Sequence, residues 1–253
     1  MSTVSPASRT RMHQELQGQT VIVIGGSAGI GLETARRASA EGAKLILTGR
    51  NPERLQQAAD EFETLRTAAF DATDSAQLDQ FFQDLPAPID HIVVTAGRPN
   101  YGRLIDLDSG AVRRALEQHL LLYIAVARNS IHKVRPGGSL IFMGGTGGRR
   151  TALGLGIVTT MTAALPALTA SLALEVAPVR VNLIAAGFVD TPLSATLLGD
   201  ELENRRNQLR ATLPIGRVVQ PEDVAALALH LMTNTALTGA TYDIDGGQQF
   251  VAA

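Results

Sequence analysis

The chain has 253 residues, 45% of them hydrophobic, enough for one large α/β domain with a substantial core. Its 22 Lys and Arg stand against 24 Asp and Glu, a formal net charge of -2 that gives no electrostatic case for nucleic acid or an anionic membrane as partner. Cysteine is absent, which excludes disulfides, thiolate metal sites and redox-active thiols and accords with the reducing cytoplasm, the location we expect.

Residues 1–15 are polar, without the apolar stretch of a signal peptide, and read as a flexible leader to a single domain over residues 16–253. No apolar run approaches the length of a membrane span, so no membrane partner is expected. Short β-type runs then alternate with helical stretches. Strands are expected at Val21–Ile24, Lys44–Thr48, Ala68–Phe70, His91–Thr95, Ser139–Met143, Arg180–Ile184 and Thr241–Ile244. Helices are expected at Leu32–Glu41, Asn51–Leu65, Ser75–Leu85, Ser109–Val134, Val158–Ala177 and Pro221–Met232. Several strands are continuous apolar runs, as happens when helices cover both faces of a sheet. The alternation predicts an α/β fold: a single doubly wound Rossmann-type domain, its parallel seven-stranded sheet carrying ligand sites at the carboxyl ends of the strands.

Between the first strand and the first helix lies Gly25-Gly26-Ser27-Ala28-Gly29-Ile30-Gly31. Strand, glycine-rich turn and helix in that order build a cradle for a dinucleotide pyrophosphate. The glycines admit phosphate to the backbone, and the helix N-terminus supplies free N–H groups and a favourable dipole. Gly25, Ser27, Ala28, Gly29, Ile30 and Gly31 are the candidate contacts. The second strand is followed by Gly49-Arg50, where a carboxylate would have accepted from a ribose 2′-hydroxyl. Arg50 suits a 2′-phosphate instead, and so NADP(H) over NAD(H), unless it is only a solvated turn residue. Asp71-Ala72 follows the third strand. Asp71 either accepts from an adenine amino group or caps the next helix. Ala96 and Gly97 end the fourth strand, where small residues let a cofactor lie against the backbone.

Taken together these segments resemble the short-chain dehydrogenase/reductase family from Leu16 to the C-terminus. Gly25, Gly29 and Gly31 match its T-G-x-x-x-G-x-G loop, with Ile24 in place of Thr. Val94-Thr95-Ala96-Gly97 matches N-N-A-G with both asparagines replaced. Ala186-Gly187-Phe188-Val189-Asp190-Thr191-Pro192 matches the P-G-x-V-x-T-P segment that closes over the nicotinamide in the family, which implies contacts at Gly187, Val189 and Thr191. Pro221-Glu222-Asp223-Val224-Ala225, Leu237-Thr238-Gly239 and Asp245-Gly246-Gly247 match its C-terminal signatures.

The resemblance also implies a catalytic tetrad. In the family a Tyr gives or takes the proton, a Lys four residues on lowers its pKa and holds the ribose, a Ser orients the substrate oxygen and an Asn holds a water. Aligned from Gly137-Gly138-Ser139 upstream and from Leu168 to Glu175 downstream, the Ser position is Gly145, the Tyr position Val158 and the Lys position Thr162. His119 stands where the Asn belongs. The tyrosines are Tyr101, Tyr123 and Tyr242 and the lysines Lys44 and Lys133, so no shift of register between Gly137 and Thr241 restores a Tyr–Lys pair. Threonine hydroxyls without an adjacent base have pKa values far too high for the task. His119 titrates near neutrality and reads either as a substitute acid or as a helix residue bonded to backbone. Arg149 and Arg150 follow the glycine run from Gly144 to Gly148 and either meet an anionic ligand or are solvated. Tyr101 either reaches the pocket mouth or lies on the surface.

An intact nucleotide half beside an erased catalytic half implies an NADP(H)-binding protein, non-catalytic or very weakly active, serving as sensor, scaffold or silent subunit for a small-molecule ligand. The alternative is an NADP(H)-dependent oxidoreductase using His119 or another non-standard group. A purely structural oligomer is the third reading. No metal site is expected. Family members pair through two long helices, here Ser109–Val134 and Val158–Ala177, which implies a homodimer or homotetramer. Pro166, within the second, is expected to kink or loosen it.

Overall fold

The computed structural model of the protein describes residues 14–149 and 151–251. Its strands are β1 (Thr20–Ile24), β2 (Lys44–Gly49), β3 (Thr64–Ala69), β4 (Ile89–Val94), β5 (Val134–Gly145), β6 (Arg180–Ala186) and β7 (Thr241–Ile244). They form one parallel sheet in the order β3-β2-β1-β4-β5-β6-β7. The helices in chain order are α1 (Gly29–Ala40), α2 (Pro52–Ala59), α3 (Ser75–Gln83), α4 (Ser109–Leu116), α5 (Leu122–Ser130), α6 (Gly156–Glu175), α7 (Pro192–Leu198), α8 (Leu202–Thr212) and α9 (Pro221–Thr233).

Alternation along the strands divides the core in two. Val21, Val23, Leu45, Leu47 and Val93 pack beneath α1, α2 and α9, where Ala35, Leu55, Val224 and Leu231 meet them. Ile22, Ile24, Ile46, Ile92 and Val94 pack on the other face against Leu78 and Phe82 of α3, Leu122 and Val126 of α5, and Leu165 and Leu172 of α6. With helices on both faces, the carboxyl edge of the sheet is where backbone ends in loops. The order reverses direction between β1 and β4, which opens the crevice a ligand can use.

Several expectations need correction. The third strand is Thr64–Ala69, not Ala68–Phe70, and the helix before it stops at Ala59 rather than Leu65. This is an edge strand with polar residues on it, so it carries no apolar run. The expected helix Ser109–Val134 is two α-helices joined by a π-turn over Glu117–Leu121, and Val134 already belongs to β5. Helices α7 and α8 were not foreseen. Helix α6 runs unbroken through Pro166, although the Thr162 carbonyl thereby loses its i+4 donor. By length and composition α6 is also apolar enough to cross a membrane, against the expectation that no run approached it. Its threonines break the run of apolar letters but are too weakly polar to bring its average below that of a span, and here Leu165, Thr169 and Leu172 are buried. The leader falls mostly on residues outside those described, but Gln14 and Glu15 are tied to Ala40 and Glu41 by hydrogen bonds of 3.2 Å each.

Candidate functional site

The β1–α1 loop is folded by its glycines. Gly25 and Gly29 have φ of +98° and +52°, a region side chains rarely adopt. The N–H groups of Gly25 and Gly26 both donate to the Thr48 carbonyl, at 3.1 and 2.9 Å. A Cβ on Gly31 would lie 2.2 Å from the Gly25 carbonyl and 2.5 Å from Thr95 Oγ1, so close packing alone already requires that glycine. Ala28 precedes α1 with no side-chain cap, and the first turn of that helix holds no acidic residue. The helix therefore begins with donors and a positive dipole end that no side chain of its own answers.

Arg50 is exposed at the end of β2, with no hydrogen bond or ion pair recorded to it among the described residues. The Asp71 Oδ1 accepts from the Thr73 N–H at 3.0 Å and from its hydroxyl at 2.8 Å. Asp71 is not the helix cap. Asp74 is, accepting from Ala76 and Gln77 N–H at 3.0 and 3.1 Å. The Ala72 side chain is buried in the core, which leaves only its backbone to meet a ligand.

Beside this loop, at the carboxyl ends of β4, β5 and β6, lies a cavity of about 710 Å³. It brings together Ile30, Ala96, Gly97, His119, Gly145, Val158, Thr162, Gly187, Val189 and Thr191. All four positions that the resemblance assigns to the tetrad thus line it. Gly25, Ser27, Ala28, Gly29, Gly31, Arg50, Asp71 and Ala72 are not on it; they stand at the ends of β1, β2 and β3, across the crevice.

The wall is poor in protons to give. A Cβ on Gly145 would meet Ala186 O and Thr162 Cγ2 at 3.4 Å, so there is room for a side chain that the sequence does not provide. Neither Phe142 nor Phe188 fills the place: Phe142 is fully buried against Tyr123, and Phe188 lines the cavity. Thr162 turns its hydroxyl onto the Val158 carbonyl at 2.8 Å. His119 sits in the π-turn, where such widening often presents a side chain to a site. Its Nδ1 is 3.5 Å from the Ala115 carbonyl, and burial pushes its pKa below the ordinary imidazole value. The ring is therefore neutral at pH 7, with the Nδ1–H turned to the helix.

Sequence reasoning missed Tyr123 as a cavity residue, though it lies four residues beyond His119 on the same helical face. Its ring stacks on Phe142, centroids 4.4 Å apart and planes within 5°, and meets His119 edge-on at 6.3 Å. Its hydroxyl donates to the Met143 carbonyl, and burial holds its pKa well above the phenol value. It is a committed donor. Tyr101 does reach the cavity, as do Arg98 and Arg205, which no sequence signal indicated. Arg149 meets the Asp243 carboxylate through both terminal nitrogens and also the Gln249 side chain, and Arg150 lies outside the described residues.

The segment over the cavity is held from behind. The Thr191 Oγ1 accepts from the Ser194 N–H at 3.2 Å and begins α7. Asp190 takes a forked pair of hydrogen bonds from Arg206 of α8, at 2.7 and 2.9 Å. A Cβ on Gly187 would lie 2.6 Å from Asp245 Cβ, which gives Asp245-Gly246-Gly247 a packing role. No group of three or more His, Cys, Asp and Glu suited to a metal occurs among the described residues.

A parallel sheet reversing at β1/β4, with a glycine turn at the switch and a cavity beside it, defines a Rossmann-type α/β protein. Comparison with known proteins narrows this. Residues 25–249 match the family model described as Enoyl-(Acyl carrier protein) reductase. The NADP-dependent (R)-specific alcohol dehydrogenase of Lentilactobacillus kefiri is 29% identical over 253 residues, 93% of this chain and 98% of that one. The short-chain dehydrogenase/reductase ATR9 of Stachybotrys chlorohalonatus is 29% identical over 257 residues, 92% of this chain and 97% of that one. Among solved structures, the MalC reductase/Diels-Alderase of Malbranchea aurantiaca superposes with a TM-score of 0.87 at 26% identity, covering 95% of this chain and 100% of that one. The chain belongs to the short-chain dehydrogenase/reductase family of oxidoreductases.

Proposed function

We propose that this protein binds NADP(H) in preference to NAD(H) and acts as a non-catalytic or very weakly active member of its family: a sensor, a scaffold or a silent subunit. The observation that carries the second half is the wall at Gly145, Val158 and Thr162. It faces the cavity without a side-chain proton to give to a carbonyl oxygen.

The residues present suit a dinucleotide. A Cβ on Gly25 would lie 2.7 Å from Ala96 N, so the loop and the end of β4 meet with backbone at the surface. Gly25, Ser27, Ala28, Gly29, Ile30 and Gly31 hold the pyrophosphate through loop and helix N–H groups. Arg50 takes the 2′-phosphate. Asp71, whose Oδ1 is occupied by Thr73, receives the adenine amino group on Oδ2, over the Ala72 backbone. Ala96 and Gly97 lie along the ribose, and Gly187, Val189 and Thr191 cover the nicotinamide. The bound cofactor would supply a hydride; what this chain lacks is the paired acid. The NADP dependence of the Lentilactobacillus kefiri relative supports the choice of dinucleotide.

A second reading rests on His119, the one imidazole on the cavity wall among the described residues. There the protein is an oxidoreductase, with His119 in the acid–base role. For either reading we propose a cytoplasmic homodimer or homotetramer joined through α4–α5 and α6, where Leu121 and Leu174 are 54% and 83% exposed.

The test is a fluorescence titration with NADPH and NADH, followed by NADPH oxidation across a carbonyl panel. Tighter NADPH binding without turnover is expected. Turnover at the family's ordinary rates would sink the non-catalytic reading, and equal affinities would sink the NADP preference. Should slow turnover appear, its persistence in His119→Ala rejects the second reading.

A further inference from the structure

Several hydroxyls around the cavity are spent on the protein itself. Thr162 and Ser194 reach back along the chain to the Val158 and Val189 carbonyls, at 2.8 and 2.5 Å, and Tyr123 donates to the Met143 carbonyl. Thr146 is different. It lines the cavity and is 7% exposed, yet no hydrogen bond to its hydroxyl is recorded among the described residues. Nor is that oxygen sealed in: among the described residues the side-chain polar atom that is both sealed and unpartnered is Arg37 Nε, on α1. A hydroxyl that is enclosed, unpartnered and open to a cavity is completed by what enters there.

The local chain explains why this hydroxyl is left over. Thr146 follows β5 directly and begins a single 3-10 turn, Thr146–Arg149. Coming straight off a strand, it has no helical turn behind it whose carbonyl could take its proton, as Thr162 does. Its backbone is held on both sides. Gly145 pairs with Ala186 of β6, and a Cβ on Gly148 would lie 2.7 Å from Ala163 N, so the turn packs on the backbone of α6. A Cβ on Gly147 would stand 3.6 Å from Val158 Cγ1. The hydroxyl therefore belongs to the same part of the lining as the vacated Gly145 and Val158 positions, with apolar Leu155, Met161 and Phe188 on the cavity as well.

We infer that the cavity takes a mostly apolar molecule through one carbonyl or hydroxyl oxygen bound by the Thr146 hydroxyl, its body against Leu155, Met161 and Phe188. This rests on the cavity being the ligand site of the proposed function; it names the class of ligand and the residue that selects it. Thr146 donates a hydrogen bond and, as an aliphatic hydroxyl, keeps its proton, so it holds the ligand without turning it over. The volume of about 710 Å³ is in the range of small-molecule sites.

Two ligands of nearly one shape test it: 2-acetylnaphthalene, which carries a carbonyl oxygen, and 2-ethylnaphthalene, which carries none. Both are titrated calorimetrically with saturating NADP⁺, which fills the cofactor site and has no hydride to give. Thr146→Val keeps the shape and removes the hydroxyl. It should weaken the ketone by about 2- to 10-fold, the worth of a neutral hydrogen bond, and leave the hydrocarbon unchanged, which also shows that the cavity is intact. Thr146→Ser should bind the ketone like the natural protein. Thr151→Val, at an exposed threonine of the lining, should leave both ligands unchanged. A ketone indifferent to Thr146→Val would mean that the hydroxyl serves only water, and an equal loss for both ligands would mean that it only shapes the wall. Either result, or failure of the ketone to bind, overturns the inference. If NADP⁺ itself fails to bind, the cofactor reading falls separately, and the same pair of ligands without it still decides Thr146.

Discussion

Thr162 donates its hydroxyl to the carbonyl of Val158, one turn back in α6, at 2.8 Å. The two residues at the positions assigned to the family's Lys and Tyr are thus joined through the helix, and only the Val158 methyl groups and the Thr162 side wall reach the cavity. Removing a positioned acid and its pKa partner costs rate without costing fold.

The converse follows. Gly145→Ser/Val158→Tyr/Thr162→Lys should bring back carbonyl-dependent NADPH oxidation, since each restored acid–base role is worth about 10²–10⁴ in rate. The Cβ at Gly145 has 3.4 Å of room to Ala186 O and Thr162 Cγ2, so the serine enters without displacing backbone. Steady-state oxidation across the carbonyl panel reads the gain. A triple variant that folds and binds NADPH but stays silent would show that the lost side chains are not what limits the site.

Arg50 tests the cofactor preference. Arg50→Glu should weaken NADPH by about 10- to 100-fold, the loss of a charge-assisted contact plus like-charge repulsion. NADH should hold or improve, because a carboxylate there can accept from a ribose 2′-hydroxyl. Parallel titrations measure both. An equal fall for the two dinucleotides would place Arg50 outside the 2′ subsite.

The parts of this molecule legible in its sequence are those governed by neighbours in the chain. Val21–Ile24, the glycine turn and α1 form a local pattern, and so do the apolar strands β4 and β6. The π-turn at Glu117–Leu121 was not legible, because one extra residue per turn leaves a helical sequence looking like any other helix. Helix α8 was missed because only Leu209 on it is buried, so it shows no apolar stripe. Tyr101, on the loop after β4, and Arg205, on α8, come to line one cavity only through the fold, which leaves no local signature. Asp71 reads in the sequence as a possible cap of the next helix, but the cap is Asp74, three residues on, which the sequence reading did not single out.

His91 makes stability depend on pH. It is fully buried between Ser139 and Gln19, 2.8 Å from each, and with the Gln19 Oε1 accepting, Nε2 carries the proton and Nδ1 accepts from the serine. Burial pushes its pKa down to about 3; Asp90 opposes this, while Arg180 and Arg135 add to it. The unfolded chain takes up this proton near 6.5 and the folded one does not, so His91's contribution is complete above pH 6.5 and is lost as pH falls towards 3. Between pH 6.5 and 5 that is about 2 kcal/mol. Urea unfolding of the natural protein and His91→Gln across this range should show the natural protein losing more; parallel curves would contradict it.

Arg180 closes the far end of the sheet by gathering carbonyls. It is 5% exposed, and its guanidinium donates to Leu231, Met232, Asn234, Leu237 and Gly137 oxygens at 2.8 to 3.2 Å. The positive charge sits at the C-terminus of α9, where the helix dipole favours it, and it adds to the Leu237 N–H at the Asn234 carbonyl and to the Asn182 side chain at the Leu237 carbonyl. Arg180→Met keeps the bulk of the stem and removes every donor at once. The expected loss is about 3 kcal/mol, which for a chain of this size is roughly 6–12 °C in melting temperature. Arg180→Lys should recover little, because a compact ammonium cannot fork across carbonyls on two sides. Because the residue lies at the opposite end of the strands from the cavity, NADPH affinity at low temperature should be unchanged in both variants. A melting temperature within a degree or two of the natural protein would mean that water replaces the guanidinium at this helix end without cost.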